Sequence, residues 1–116
     1  MTEAQFQRSV IELARLNGWK VAHFRPAQNG KGAWRTPVAA DGAGFPDLVL
    51  VKDRVIFAEL KTDKGRVSPA QREWLDVLTE ARVKAQSTGV VDVVIWRPKD
   101  WHEILATLNT RQATPW

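Results

Sequence analysis

The chain has 116 residues, 44% of them hydrophobic and 26% charged, with a formal net charge of +4 and a pI near 9.9. That length supports one hydrophobic core, so a single domain over residues 1–116 with one site is expected. With no cysteine, a disulfide framework and a thiolate metal site are both excluded; His23 and His102 lie too far apart in sequence to suggest zinc, and a metal held chiefly by carboxylates would be a hard cation such as Mg²⁺ or Mn²⁺.

The first residues carry a helix signal. Thr2-Glu3-Ala4-Gln5 has the pattern of a capping box, and Phe6, Val10, Leu13 and Ala14 follow at helical spacing, predicting a helix from Glu3 to about Asn17. Trp19 to Arg25 alternates and reads as a strand. From Leu13 to Ala40 there is no acid, whereas Arg15, Lys20, Arg25, Lys31 and Arg35 are all basic. Such a stretch suits phosphates and equally suits a solvated face. Pro26 to Gly44, rich in Gly, Pro and Ala, reads as a long loop, with Gly30-Lys31-Gly32 and Gly42-Ala43-Gly44 as flexible backbone.

Two apolar runs, Asp47 to Val51 and Val55 to Leu60, flank Lys52-Asp53-Arg54 and predict a hairpin with a three-residue connection. Ser68-Pro69-Ala70-Gln71 then supplies an N-cap, a proline in the first turn and a capping-box glutamine for a second helix, whose Trp74, Leu75, Leu78 and Ala81 keep helical spacing. The β-branched run Val90 to Trp96 suits a buried strand, and Asp100 is a candidate cap for a last helix carrying Ile104, Leu105 and Leu108. Trp19, Trp74 and Trp96 fall on expected core faces. No apolar run approaches the roughly 18 residues that span a bilayer, and the MTEAQFQRS start lacks signal-peptide features, so a soluble, cytoplasmic protein without membrane contact is expected. The order α-β-β-β-α-β-α points to an α/β fold with one mixed sheet flanked by helices.

Chemistry concentrates on the hairpin. A three-residue turn sets Val51 opposite Val55 and Asp47 opposite Glu59, with Cβ atoms of directly opposed residues roughly 4.5 to 5.5 Å apart. Lys61 follows Glu59 by two residues and shares its face, while Ala58 and Leu60 turn to the core. Two carboxylates and an ammonium suit phosphodiester hydrolysis, where a cation polarises the phosphate and lowers the pKa of an attacking water. A same-face Glu59–Lys61 ion pair is the simpler alternative.

Pro46-Asp47 and, across the hairpin, Glu59-Leu60-Lys61 resemble the PD-(D/E)XK nuclease signature. Together with Glu3, Gln7, Gly44-Phe45 and Gly65-Arg66-Val67-Ser68-Pro69-Ala70-Gln71, they resemble its VRR-NUC branch, the virus-type replication-repair nucleases, over Glu3 to about Trp96. The resemblance implies a restriction-endonuclease-like core of order α-β-β-β-α-β with a four-stranded mixed sheet. It also implies Mg²⁺ or Mn²⁺ on Asp47, Glu59 and the Leu60 backbone carbonyl, with Lys61 beside the attacking water and Glu3 able to join through water. Gln71 matches the family's helix glutamine near the site. Glu3 also suits the helix dipole and Gln71 also suits capping, so both roles stay open for each.

His23, Arg25, Lys31 and Arg35 are candidate phosphate contacts, and Trp34, between two cations, is a candidate stacking residue. The resemblance implies a structure-specific DNA endonuclease of the Holliday-junction-resolving kind, working as a homodimer on branched DNA in replication, repair or recombination. A restriction-type or nicking endonuclease, a non-catalytic nucleic-acid-binding module of the same fold, and an accessory subunit are the alternatives.

Overall fold

The computed structural model describes residues 1–24, 39–86 and 89–109, and the backbone of 27–28 and 34–35. The first helix, α1 (Glu3–Leu16), starts as its sequence dictates: Thr2 Oγ1 accepts the Gln5 amide at 3.1 Å, and Gln5 Oε1 accepts the Thr2 amide at 2.8 Å. Phe6, Val10 and Ala14 recur every four residues on its inner face, and Gly18, at φ +86°, turns the chain back into strand β1 (Lys20–His23).

The segment expected to be a long loop contains a short antiparallel ladder, β2 (Ala27–Gln28) with β3 (Trp34–Arg35). Strands of two residues are too short for alternation to mark them in the sequence. The hairpin strands β4 (Leu48–Val51) and β5 (Val55–Leu60) follow, then α2 (Pro69–Lys84), β6 (Val91–Trp96), a 3₁₀ turn at Pro98–Asp100 and α3 (Trp101–Asn109). The main sheet runs β1-β4-β5-β6, antiparallel except for the β5–β6 pair, which α2 connects as a crossover.

Strand alternation sorts the sheet into two faces. His23, Leu48 and Ala58 stand opposite one another, as do Val21, Leu50 and Ile56, and this face carries the core. Leu48, Leu50, Ile56, Ala58, Leu60 and Trp96 pack there with Phe6, Val10 and Ala14 of α1 and Ile104 and Leu108 of α3. The α2 face is thinner. Leu75 is the only buried residue of α2, and an edge-to-face chain of rings, Phe57 to Phe45 to Trp74, fills the space with centroids 6.1 and 5.0 Å apart. Trp19 and Trp96 are core residues as expected, whereas Trp74 is half-buried and donates its indole N–H to the Asp41 carbonyl.

Two expectations need correction. β6 is an edge strand with five of its six residues half-buried; β-branched content suits any pleated surface and does not report how much of it is covered. Asp100 does not cap α3: its carboxylate accepts the Arg97 amide at 2.9 Å, closing the 3₁₀ turn ahead of that helix. No helix among the described residues is long and apolar enough to cross a membrane.

Candidate active site

The hairpin forms in the expected register. Lys52 N–H donates to the Arg54 carbonyl at 3.0 Å across the connection, Val51 pairs with Val55, and Leu48 pairs with Ala58 at the open end. One step beyond the ladder, Asp47 comes opposite Glu59, and Asp47 Oδ2 accepts the Leu60 amide at 2.9 Å. A further step would pair Leu60 with Pro46, which has no amide proton to give. Lys61 N–H donates to the Trp96 carbonyl at 3.0 Å, and across the trans peptide the Leu60 carbonyl points the other way, toward the Asp47 strand. Pro46 therefore ends the ladder where the Leu60 carbonyl emerges. Two carboxylates and a backbone oxygen converge on one end of the hairpin.

This end of the sheet is poor in water. Glu59 is only 1% exposed, its Oε2 lies 3.6 Å from Lys61 Nζ, and its Oε1 is buried with no hydrogen-bond partner among the described residues. Burial, then the neighbouring Asp47 carboxylate, push the Glu59 carboxyl up to about 8 against the pull of Lys61. Asp47 is also raised, by burial first; its bond from Leu60 works the other way and the charge of Glu3 adds to the rise. A divalent cation fits such a donor set, because it would supply the missing partner of Oε1 and relieve the repulsion between the acids.

The remaining candidates divide. Glu3, exposed in the first turn of α1, reaches the pair through its charge on Asp47. Among the described residues no three His, Asp or Glu side chains gather closely enough to hold a metal. Gln71 forms the capping box: its Oε1 accepts the Ser68 amide at 2.8 Å and its own amide donates to Ser68 Oγ at 3.2 Å. His23 does not share the face of the acids. It stands opposite Leu48, on the α1 side, whereas Glu59 lies on the α2 side; strand alternation fixes this once the β1–β4 register is known. The side chains of Arg25, Lys31, Trp34 and Arg35 lie outside the described residues.

Three structural residues escaped the sequence reading. Gly44, at φ +84°, is no flexible spacer: a Cβ there would come within 2.5 Å of the Ala70 carbonyl carbon, so glycine lets the segment before Asp47 lie directly on the start of α2. Arg97 Nη1 donates to the carbonyls of Thr62 at 2.6 Å and Gly65 at 2.7 Å, clamping the turn that follows Lys61. Arg54 ties the closed end of the hairpin to Asp92 at 3.4 Å and to the Thr107 carbonyl of α3 at 3.0 Å. Only Gly44 had a sequence signal, its place in a glycine pair before the motif; the partners of both arginines are more than 30 residues away in the chain.

A groove of about 480 Å³ lies between residues 40–43 and the Trp74 side of α2.

A mixed four-stranded sheet flanked by helices, in the order α-β-β-β-α-β, is compatible with a restriction-endonuclease-like fold. The family model of the VRR-NUC domain matches residues 30–92, more than half of the chain, and the chain belongs to this family of nucleases. The match takes in Asp47, Glu59, Lys61 and Gln71 and leaves Glu3 outside. No curated protein and no solved structure matches the chain.

Proposed function

We propose that this chain is a divalent-cation-dependent DNA endonuclease that hydrolyses phosphodiester bonds by water attack at the Asp47, Glu59 and Lys61 site. The observation that carries the reading is the carboxylate pair itself, with Glu59 buried, its Oε1 without a hydrogen-bond partner among the described residues, and Lys61 alongside. Without a cation such an arrangement only destabilises the fold. Asp47, Glu59 and the Leu60 carbonyl are the groups that would hold Mg²⁺ or Mn²⁺. When bound, the cation polarises the scissile phosphate and makes water acidic enough to attack near neutral pH.

The protein's own groups do the rest. The Lys61 ammonium, held next to Glu59, orients the attacking water and offsets negative charge growing on the phosphate oxygens. The Leu60 amide holds the Asp47 carboxylate in place through Oδ2. Glu3 adds negative charge that Asp47 feels, which favours a cation.

The substrate follows from the family resemblance: branched DNA met in replication, repair or recombination, cut by a homodimer that places one site on each of two strands. A cytoplasmic setting goes with this reading. Mg²⁺-dependent cutting of a four-way junction, compared with a linear duplex of matched sequence, tests it. Preferential junction cutting is expected, and equal cutting of both substrates would overturn the junction specificity while leaving the nuclease.

A further inference from the structure

The turn after Lys61 has a feature that the hydrolytic site does not use. Thr62 to Arg66 is held in one shape by four hydrogen bonds: the two from Arg97, one from the Gly65 amide to the Thr62 carbonyl at 3.1 Å, and one from the Lys99 amide to Asp63 Oδ1 at 3.0 Å. The last of these brings the Lys99 backbone against the turn that carries Lys64 and Arg66, three and five residues past Lys61. Lys64, Arg66 and Lys99 are all exposed. None forms an ion pair among the described residues, in contrast to Arg72 and Lys84 of α2, which pair with Asp76 and Glu80. Arg97 is spent on two carbonyls, and Asp63, which accepts the Lys99 amide, is the one acid among residues 62–66. The three solvent-facing cations thus outnumber the acid of the turn, and hydrogen bonds hold the backbone beneath them.

Resting on the nuclease reading above, we infer that Lys64, Arg66 and Lys99 form a preorganised phosphate-binding arm. It grips the backbone of the nucleic acid beside the phosphate being cut. Such contacts set register and affinity and carry no sequence information, and ordering the arm in advance removes part of the binding cost. They also leave a measurable trace, because each phosphate neutralised on a duplex steepens the fall of log K with log salt by about 0.9.

The test compares the intact chain with the triple variant Lys64→Gln, Arg66→Gln, Lys99→Gln. A fluorescent 30-base-pair duplex serves as the probe, titrated in Ca²⁺ from about 50 to 200 mM salt. Cleavage is followed separately in Mg²⁺ at saturating DNA. The expected result is a slope shallower by roughly 2 to 3 for the variant, weaker binding at low salt, and a single-turnover rate at saturation within about twofold of the parent. An unchanged slope and affinity, in a parent that binds and cuts, would remove the arm and leave the nuclease. A saturating rate that falls along with affinity would also overturn the arm as a pure grip, since these residues would then act in the chemical step. A parent that binds no nucleic acid would remove both readings.

Discussion

Replacing Glu59 by glutamine should make the metal-free protein more stable at alkaline pH, the reverse of what deleting a buried ion pair normally does. In the folded chain the Glu59 carboxyl is raised from its ordinary 4.5 to about 8, by burial and by Asp47. The folded state therefore keeps a proton that the unfolded chain has already released between those values. Stability falls as pH rises through this window, and below it both states are protonated and nothing is lost. A tenfold change in proton affinity corresponds to about 1.4 kcal/mol, so the penalty above pH 8 is on the order of a few kcal/mol. Glu59→Gln has nearly the same shape and no charge to desolvate.

Urea denaturation in EDTA at pH 6 and pH 9 is the assay. The parent should lose stability between the two, and the variant should lose far less. Adding Mg²⁺ should stabilise the parent more at pH 8 than at pH 5.5, because the cation competes with the proton for the same oxygens, and should leave the variant largely unmoved. Equal pH dependence of parent and variant in EDTA would refute the claim that Glu59 is a frustrated carboxylate.

Other expectations concern the frame around the site. Gly44→Ala should cost roughly 1–3 kcal/mol by chemical denaturation, from backbone strain at positive φ and the clash with Ala70, and should slow cleavage by displacing the segment that carries Asp47. Arg97→Met should speed amide exchange in residues 62–66 and destabilise by roughly 1.5–3 kcal/mol, the range for hydrogen bonds to a charged group; Arg97→Lys should recover only part, because lysine lacks the planar fork. Gln71→Glu keeps the capping box, so cleavage within about twofold of the parent is expected if capping is its whole task, and a larger loss would give this side chain a part in the reaction.

The sequence made the hairpin legible because two local rules acted together: a three-residue turn fixes which residues oppose, and alternation fixes which share a face. Asp47 opposite Glu59 followed from those rules, and both capping boxes, Thr2 with Gln5 and Ser68 with Gln71, followed from the equally local Ser/Thr-x-x-Gln pattern. What stayed hidden depends on contacts distant in sequence. The face of His23 depends on how β1 pairs with β4 across an intervening segment of more than 20 residues. The Arg97 clamp depends on the parallel pairing that brings the end of β6 beside Lys61. The burial that perturbs Glu59 is a property of the packed fold, which no local pattern encodes.

The most direct test of the site is Mg²⁺-dependent cleavage of DNA by the parent chain and by Asp47→Ala side by side, with binding to the same DNA measured in Ca²⁺. Loss of cutting by at least a hundredfold, with DNA affinity largely retained, is the expected result. Undiminished cutting by Asp47→Ala would contradict the assignment of the chemistry to this hairpin.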